Sequence, residues 1–396
     1  LSGKWVGIGL FSLNITEMRI LLLGEYSNVH ATLAEGLRLR GHEVCLASNG
    51  DFWKNYPRDI NLKREKGKLG GALLYARIIA NLRNFVGYDI VQLINPMFVE
   101  LKAKKIFLLY RFLRKHNRAV VLGGFGMDYY WVYNCIQHKP LRYSDFNIGN
   151  KLRTNRDAIK ETQDWIGTDK EKLNRMIAND CDAIVTGLYE YQVCYELSFG
   201  QKATFIPMPI KMDDYSGHII NDGMHCTNDN NKKFKLTIFI GINKTRSEYK
   251  GTDIMLKAAE EIRDRNKDMV NLVVVESVPF NTYKHLMESS DVILDQLYSY
   301  TPAMNALLAM SKGIICVGGG EPENYEILNE DKLCPIINVK PDYDDVVRQL
   351  QALVDMPKEM ICQLKKESIA YVAKHHDYKK IAERYENLYL SLISPQ

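Results

Sequence analysis

What most restricts this chain is a repeated alternation of short apolar runs and helical stretches. Met18-Arg19-Ile20-Leu21-Leu22-Leu23-Gly24 is apolar throughout its centre and ends at glycine. Runs of this kind, without polar alternation, are strands covered on both faces, as in a parallel sheet. Ala31 to Arg40 follows with Leu33 and Leu37 at helical spacing, Gly41 ends it, and Val44-Cys45-Leu46-Ala47 is the next strand. A strand, helix and strand within about thirty residues has the size of a parallel crossover unit. The pattern predicts further strands at 88–94, 119–122, 183–186 and 203–207, with helices at 73–85, 98–116, 172–178 and 189–197. Residues 129–170 are polar, aromatic and irregular and read as an excursion from the sheet.

The alternation is interrupted once. Residues 211–234 hold Asp213, Asp214, Ser216, Gly217, Asn221, Asp222, Gly223 and Asn228-Asp229-Asn230-Asn231, which is linker and turn chemistry. A second series starts at Leu236-Thr237-Ile238-Phe239-Ile240-Gly241 and continues with strands at 272–275, 292–294, 314–317 and 335–337. Helices at 344–354, 358–374 and 378–392 close the chain. With 396 residues the protein is long for one domain and comfortable for two. The expected organisation is a leader at 1–17, an α/β domain at 18–210, a linker at 211–234, a second α/β domain at 235–376, and a terminal helix at 377–396. Two open parallel sheets facing each other create a cleft, and ligands of such sheets bind beyond the strand C-termini.

Composition removes other classes. Hydrophobic residues at 46% and charged residues at 25% exclude disorder, collagen and coiled coil over the whole chain. No apolar run reaches the 18 residues of a membrane-spanning helix. The eight cysteines form no CxxC pair and no metal-ligand spacing, so the expectation is a reducing cytosol, mostly buried free thiols and no zinc. Charge is uneven: residues 1–140 hold 20 Lys+Arg against 10 Asp+Glu, leaving 32 against 38 in the remainder. A basic front half suits an anionic membrane or polyanion, or else a solvated face. The basic side of helix 98–116, with Lys102, Lys104, Lys105, Arg111, Arg114 and Lys115, is the candidate for peripheral contact with anionic lipid.

The loops after the strands carry the candidate chemistry. Gly24-Glu25-Tyr26-Ser27-Asn28-Val29-His30 lacks the GxGxxG fingerprint, yet leads into a helix N-terminus that attracts anions. His30 is a candidate acid or base, or a local helix-start contact. Gly123-Gly124-Phe125-Gly126-Met127-Asp128 predicts a turn of positive φ or close ligand approach, with Asp128 a candidate catalytic carboxylate or a helix cap. Gly241-Ile242-Asn243-Lys244-Thr245-Arg246-Ser247-Glu248-Tyr249-Lys250-Gly251 places cations at a helix start, which opposes the helix dipole unless an anion is recruited. Arg246 and Lys250 are therefore the candidate diphosphate clamp. Thr301, with the backbone N–H groups at 303–305 including Met304 and Asn305, offers further donors. Glu323, after Gly318-Gly319-Gly320, is a candidate for sugar hydroxyls. The Asp180-Cys181-Asp182 and Asp342-Tyr343-Asp344 patterns read as a turn and a helix start, so no metal site is expected.

These segments together resemble a family. Ile20–Gly24, Thr245-Arg246 with Lys250-Gly251-Thr252, Asp291-Val292-Ile293-Leu294, Ala306-Leu307-Leu308-Ala309-Met310-Ser311-Lys312-Gly313 and Gly319-Gly320-Glu321-Pro322-Glu323 look like those of GT-B glycosyltransferases, close to the retaining enzymes of family 4. The resemblance spans Met18 to the end. It implies two Rossmann-like domains and transfer of a hexosyl-type sugar from a UDP- or GDP-linked donor to a glycan or lipid-linked glycan acceptor. It further implies retention of configuration, no metal, no separate cofactor, no nucleic acid, and polysaccharide synthesis in the cytoplasm or on the inner membrane face. Arg246 and Lys250 fall where the family grips the donor diphosphate, and the last helix falls where the family crosses back to the first domain. Two departures stand out. The family's pair of glutamates, eight positions apart, is matched by Tyr300 and Leu308, so the ribose has no glutamate, and its His-Asp pair is Met127-Asp128. A sugar-nucleotide binder without transferase activity and a GT-B epimerase remain the alternatives.

Overall fold

The computed structural model describes residues 17–212, 235–276 and 278–394, so the leader and linker assignments fall almost wholly outside the described residues. The first lobe holds seven parallel strands: β1 (Arg19–Leu23), β2 (Glu43–Ser48), β3 (Ile60–Asn61), β4 (Ile90–Leu93), β5 (Ala119–Gly124), and, after a small antiparallel hairpin of β6 (Asn147–Ile148) and β7 (Lys151–Leu152), β8 (Ala183–Thr186) and β9 (Ala203–Phe205). Their order is β3-β2-β1-β4-β5-β8-β9, with β1 at the point where the winding reverses. The second lobe has five parallel strands: β10 (Leu236–Ile242), β11 (Val270–Glu276), β12 (Val292–Leu294), β13 (Ile315–Gly318) and β14 (Ile337–Asn338), in the order β11-β10-β12-β13-β14. The unbroken aliphatic runs are explained by burial: Ile20, Leu21, Leu22 and Leu23 are shielded above and below, as are Val292, Ile293 and Leu294.

The excursion at 129–170 differs from the irregular segment that its composition predicts. It contains helices Tyr129–Gln137 and Arg156–Trp165, and Asp169–Asp180 begins before its end. The aromatic residues that disguised the first of these pack inward: Tyr129, Tyr130 and Trp131 are all buried. Helix Ala103–His116 is shorter than the expected 98–116, because 98–102 is irregular. Among the described cysteines, six are free thiols, four of them buried, while Cys362 is disulfide-bonded.

The last helix, Tyr378–Ile393, belongs structurally to the first lobe. Gly36 permits this, since a Cβ there would lie 2.8 Å from Ala382 Cβ and from the Tyr378 carbonyl. Glu386 accepts from His42 (2.8 Å) and pairs with Arg40, and Tyr389 donates to Gln92 (2.6 Å). The lobes are fastened directly as well. Arg142 of the first lobe pairs with Glu321 (2.7 Å) and Glu323 (2.5 Å), its backbone N–H donates to the Tyr300 hydroxyl (2.6 Å), and Tyr143 donates to Glu321 (2.5 Å). Arg153 lays its guanidinium 3.4 Å from the centre of the Tyr298 ring and donates to the Glu248 carbonyl.

Candidate functional site

Between the lobes, beyond the C-terminal ends of both sheets, lies a cavity of about 740 Å³. The first lobe contributes Tyr26, Ser27, Val29, Lys54, Phe125, Leu188, Tyr191 and Met208. From the second come Gly241, Ile242, Asn243, Lys250, Thr252, Tyr283, Asp295, Gln296, Met304 and Asn305, among others. The volume suits a nucleoside diphosphate with an attached sugar, and its wall mixes apolar side chains with converging polar groups in similar measure.

Lys250 sits at the end of the short helix Ser247–Lys250, one residue before helix Thr252–Arg265. Gly251 between them adopts φ 74°, and a Cβ there would meet Leu297 Cβ at 2.6 Å, so only glycine makes this turn. No side chain caps the following helix. Burial lowers the Lys250 pKa, opposed chiefly by the neighbouring Asp295 carboxylate. Burial in turn raises the Asp295 pKa, against the pull of Lys250, the Ala303 N–H and the Asn305 amide. Asn305 also donates to the Tyr283 hydroxyl at 2.9 Å, which fixes its side chain across the cavity wall. Lys250, Asp295, Asn305 and Tyr283 thus form one polar floor built from four segments: the helix Ser247–Lys250, the end of β12, and the helices Met304–Met310 and Phe280–Glu288.

The sequence candidates are distributed unevenly around this cavity. Lys250, Met304 and Asn305 line it. Arg246 lies beside it: its guanidinium stands 4.9 Å from the centre of the Tyr249 ring and acts on Asp145 and Glu161 of the first lobe. Thr301 is buried and already engaged, because its hydroxyl donates to Glu190 at 2.6 Å. The same carboxylate accepts from Ser299 Oγ (2.7 Å) and from the N–H groups of Tyr300 (2.9 Å) and Thr301 (3.2 Å). A first-lobe carboxylate therefore occupies the Thr301 hydroxyl that the sequence offered to a phosphate, while the Ala303 N–H is directed to Asp295. Glu323 is held in its two-pronged pairing with Arg142. The glycines before it approach the chain itself: a Cβ on Gly319 would lie 2.4 Å from the Ser299 carbonyl.

His30 and Asp128 are placed in the first-lobe core, not on the cavity wall. Asp128 is fully buried and caps helix Tyr129–Gln137, accepting from Trp131 N–H (2.8 Å) and the Tyr195 hydroxyl (2.8 Å), with burial raising its pKa to about 6. Gly123 and Gly124 before it end β5 without positive φ, unlike the turn expected there. The N-terminus of helix Val29–Leu39 is occupied by Glu25, which accepts from the N–H groups of His30 and Ala31 and is pushed up to about 8 by burial.

His30 donates from Nδ1 to the Gly24 carbonyl (2.9 Å) and accepts at Nε2 from Gln92 (3.3 Å), whose carbonyl takes the Tyr389 hydroxyl. It is a neutral core imidazole whose pKa burial lowers to about 3. With the unfolded value near 6.5, the unfolded chain binds the extra proton in between, so this contribution is complete above pH 6.5 and is lost as pH falls toward 3. Its share by pH 4 is roughly 3 kcal/mol. Urea unfolding of His30→Asn at stepped pH is expected to show an acid limb flatter by that amount, and an unaltered slope would assign the proton uptake to another group.

Sequence reasoning missed Lys54, Asp295, Tyr283 and Tyr191. Asp295 was legible as the first residue after β12, a strand-end position. Lys54 carries no such signal, since its loop lies in no recognisable pattern.

No protein-family model matches the chain, and no curated protein matches it. Solved structures do. WaaG, a glycosyltransferase involved in lipopolysaccharide biosynthesis, shares 13% identity over 93% of this chain and 98% of its own, with a TM-score of 0.54. HepE from Anabaena, in complex with UDP-glucose, shares 11% identity over 95% and 100%, with a TM-score of 0.55. UDP-GlcNAc 2-epimerase from Neisseria meningitidis, bound to UDP-GlcNAc, shares 12% over 94% and 100%, with a TM-score of 0.51. Likeness at this identity speaks for architecture: two facing parallel-sheet lobes with a returning C-terminal helix give this chain the GT-B fold.

Proposed function

We propose that the protein transfers a hexosyl-type sugar from a UDP- or GDP-linked donor to a hydroxyl of a glycan or lipid-linked glycan. The observation that carries this reading is Lys250, a cation on the wall of a cavity of nucleotide-sugar size beside an uncapped helix N-terminus. Negative charge grows on the leaving diphosphate as the glycosidic bond breaks. A fixed ammonium and oriented N–H groups in a water-poor cleft stabilise that charge more than water does, which serves the purpose without a metal. The donor diphosphate is assigned to Lys250, with Arg246 as an outer cation and Asn305 as a sugar or phosphate donor. The acceptor is assigned to the first-lobe wall of Tyr26, Phe125 and Tyr191. Retention of configuration rests on the family resemblance.

An epimerase is the second reading, favoured by the likeness to UDP-GlcNAc 2-epimerase. One assay separates them. The protein is incubated with each nucleotide sugar that raises its melting temperature, where saturation at 100 Kd adds about 2.7 kcal/mol. A transferase consumes donor only when acceptor is present; release of an isomer without acceptor assigns the epimerase, and no turnover in either case assigns a binder.

A peripheral membrane contact through the basic front half belongs to the same proposal. Helix Ala103–His116 buries Ile106, Leu109, Tyr110 and Leu113 against the first lobe and leaves Leu108 exposed beside Lys104, Lys105 and Arg111. Lys105 reaches the ring of Tyr75 on helix Gly70–Ala80, and that helix and its approach expose Leu69 (73%), Leu73, Lys63, Lys66 and Lys68. Among the described residues no helix is long and apolar enough to cross a membrane. Sedimentation with phosphatidylglycerol vesicles is expected at low salt, with little on phosphatidylcholine, each lysine near the surface contributing about 1 kcal/mol. Leu69→Glu with Leu73→Glu should weaken it at least tenfold; equal sedimentation with both vesicle types would sink the assignment.

A further inference from the structure

The cavity holds a second cation, and it comes from the opposite lobe. Lys54 lies in the loop between β2 and β3 and lines the same cavity as Lys250. Its ammonium donates to Asp51 at 2.6 Å and to Ser27 Oγ at 3.3 Å. The same Asp51 oxygen accepts the Ser27 backbone N–H at 2.9 Å, so the two loops that carry Ser27 and Lys54 are tied into one unit. An ammonium has three donors. Asp51 and Ser27 take two, the centre of the Tyr56 ring lies 5.8 Å away, and the side chain lines the cavity with its third N–H.

The backbone around it is held in an unfavourable region. Ser27, Asn28, Asp51, Phe52 and Asn55 all have φ between 51° and 71°. Side-chain-bearing residues avoid this region, and such residues concentrate where a structure must fix a group in place. Here the group fixed is the head of Lys54. The wall carries Lys54 and Lys250 with Asp295 as the one carboxylate among the described lining residues, while Asp51, outside that lining, pairs with Lys54. Lys54 is also near enough to count among the charges lowering the Lys250 pKa, after burial and Arg246. Each ammonium is balanced by a carboxylate of its own lobe, Lys54 by Asp51 and Lys250 by Asp295, and a doubly charged anion entering between them meets two positioned cations.

We propose that Lys54 is the first lobe's own contact to the diphosphate that Lys250 holds from the second, so that one anion bridges the lobes and couples donor binding to their closure. This rests on the reading of the cavity as a nucleoside-diphosphate site and adds a residue and a role to it. The bridging geometry explains why a site with a single inner cation on the second lobe can hold a doubly charged leaving group: the missing charge arrives with the partner lobe.

Calorimetry with UDP and GDP on the full chain tests this, using Lys54→Gln, Lys54→Arg and Lys250→Gln at several salt concentrations. Gln keeps a donor for Asp51 while removing the charge. Lys54→Gln is expected to weaken the better-bound nucleotide at least tenfold, and Lys54→Arg to stay within threefold. The plot of log Kd against log salt should be shallower for Lys54→Gln than for the parent, a change that loss of a purely structural tie would not produce. Binding by Lys54→Gln within twofold of the parent, while Lys250→Gln is weakened, overturns the bridge and leaves the diphosphate site standing. Unchanged binding in both variants, or no binding by the parent, removes the diphosphate site and the bridge together. Should Lys54→Gln fail to fold by circular dichroism, the arginine variant decides, and a loss beyond tenfold in a folded Lys54→Arg protein with an unchanged salt slope counts against the bridge.

Discussion

Replacing Lys250 by alanine is expected to weaken UDP or GDP binding about thirtyfold, and Arg246→Ala about fivefold. A charged hydrogen-bond donor to phosphate contributes about 2 kcal/mol, which is the first figure. The second is smaller because Arg246 is not on the cavity wall; its guanidinium rests over Tyr249 and beside Asp145 and Glu161. Lys250 is also the less replaceable for a geometric reason. It ends one helix as Gly251 turns in the left-handed region to start another, and its carbonyl accepts from Leu297 N–H at 3.0 Å, so its position is set by backbone rather than by rotamer choice. Isothermal titration of both variants checks the ordering. Equal affinity in parent and both variants would mean that these cations do not hold a ligand.

The second large effect concerns the contact between lobes. Glu190→Ala is expected to destabilise the protein by about 4 kcal/mol, because three buried donors lose their common acceptor at once, while Ser299 Oγ keeps the Thr301 carbonyl. Those donors are Thr301 Oγ1 and the N–H groups of Tyr300 and Thr301. Tyr300 loses its fixed position as well, and with it the stacking on Tyr189 and the platform under the Arg142 guanidinium. The readouts are a lower melting temperature and, in small-angle scattering, a larger radius of gyration from partly opened lobes. A variant that melts lower but keeps the parent's dimensions would show that Glu190 serves the local loop and does not hold the lobes together. Nucleotide binding should suffer less than stability, since the cavity floor of Lys250, Asp295 and Asn305 lies outside this contact.

Tyr300 illustrates how a departure from a family pattern is resolved in three dimensions. Where the resemblance calls for a glutamate, this chain has an aromatic ring packed between Tyr143 and Tyr189 and covered by Arg142. The carboxylate at this place comes instead from Glu190 of the other lobe. Leu308, the counterpart of the second glutamate, is partly buried against the core and is not among the cavity's lining residues.

The sequence by itself determined the two lobes. Ile20–Leu23 and Val292–Leu294 are apolar at successive positions, and only a strand covered on both faces has use for that, so the parallel sheets and their crossovers followed from local pattern. The cation-bearing loop before Thr252 was legible for the same kind of reason, since a helix start and its dipole are local properties. Helix Tyr129–Gln137 escaped because its inward side is built from tyrosine and tryptophan, whose burial depends on neighbours far along the chain. Which donors stay available to a ligand was likewise a tertiary matter. Thr301 was attractive to anions on local grounds, and folding delivered Glu190 to it from the other lobe, whereas the N-terminus of helix Val29–Leu39 is occupied locally by Glu25 of its own loop. The same folding brought Lys54 across to face Lys250. Charge and periodicity along a chain state what each segment favours, whereas the pairing of groups nearly two hundred residues apart depends on how the lobes close over one another.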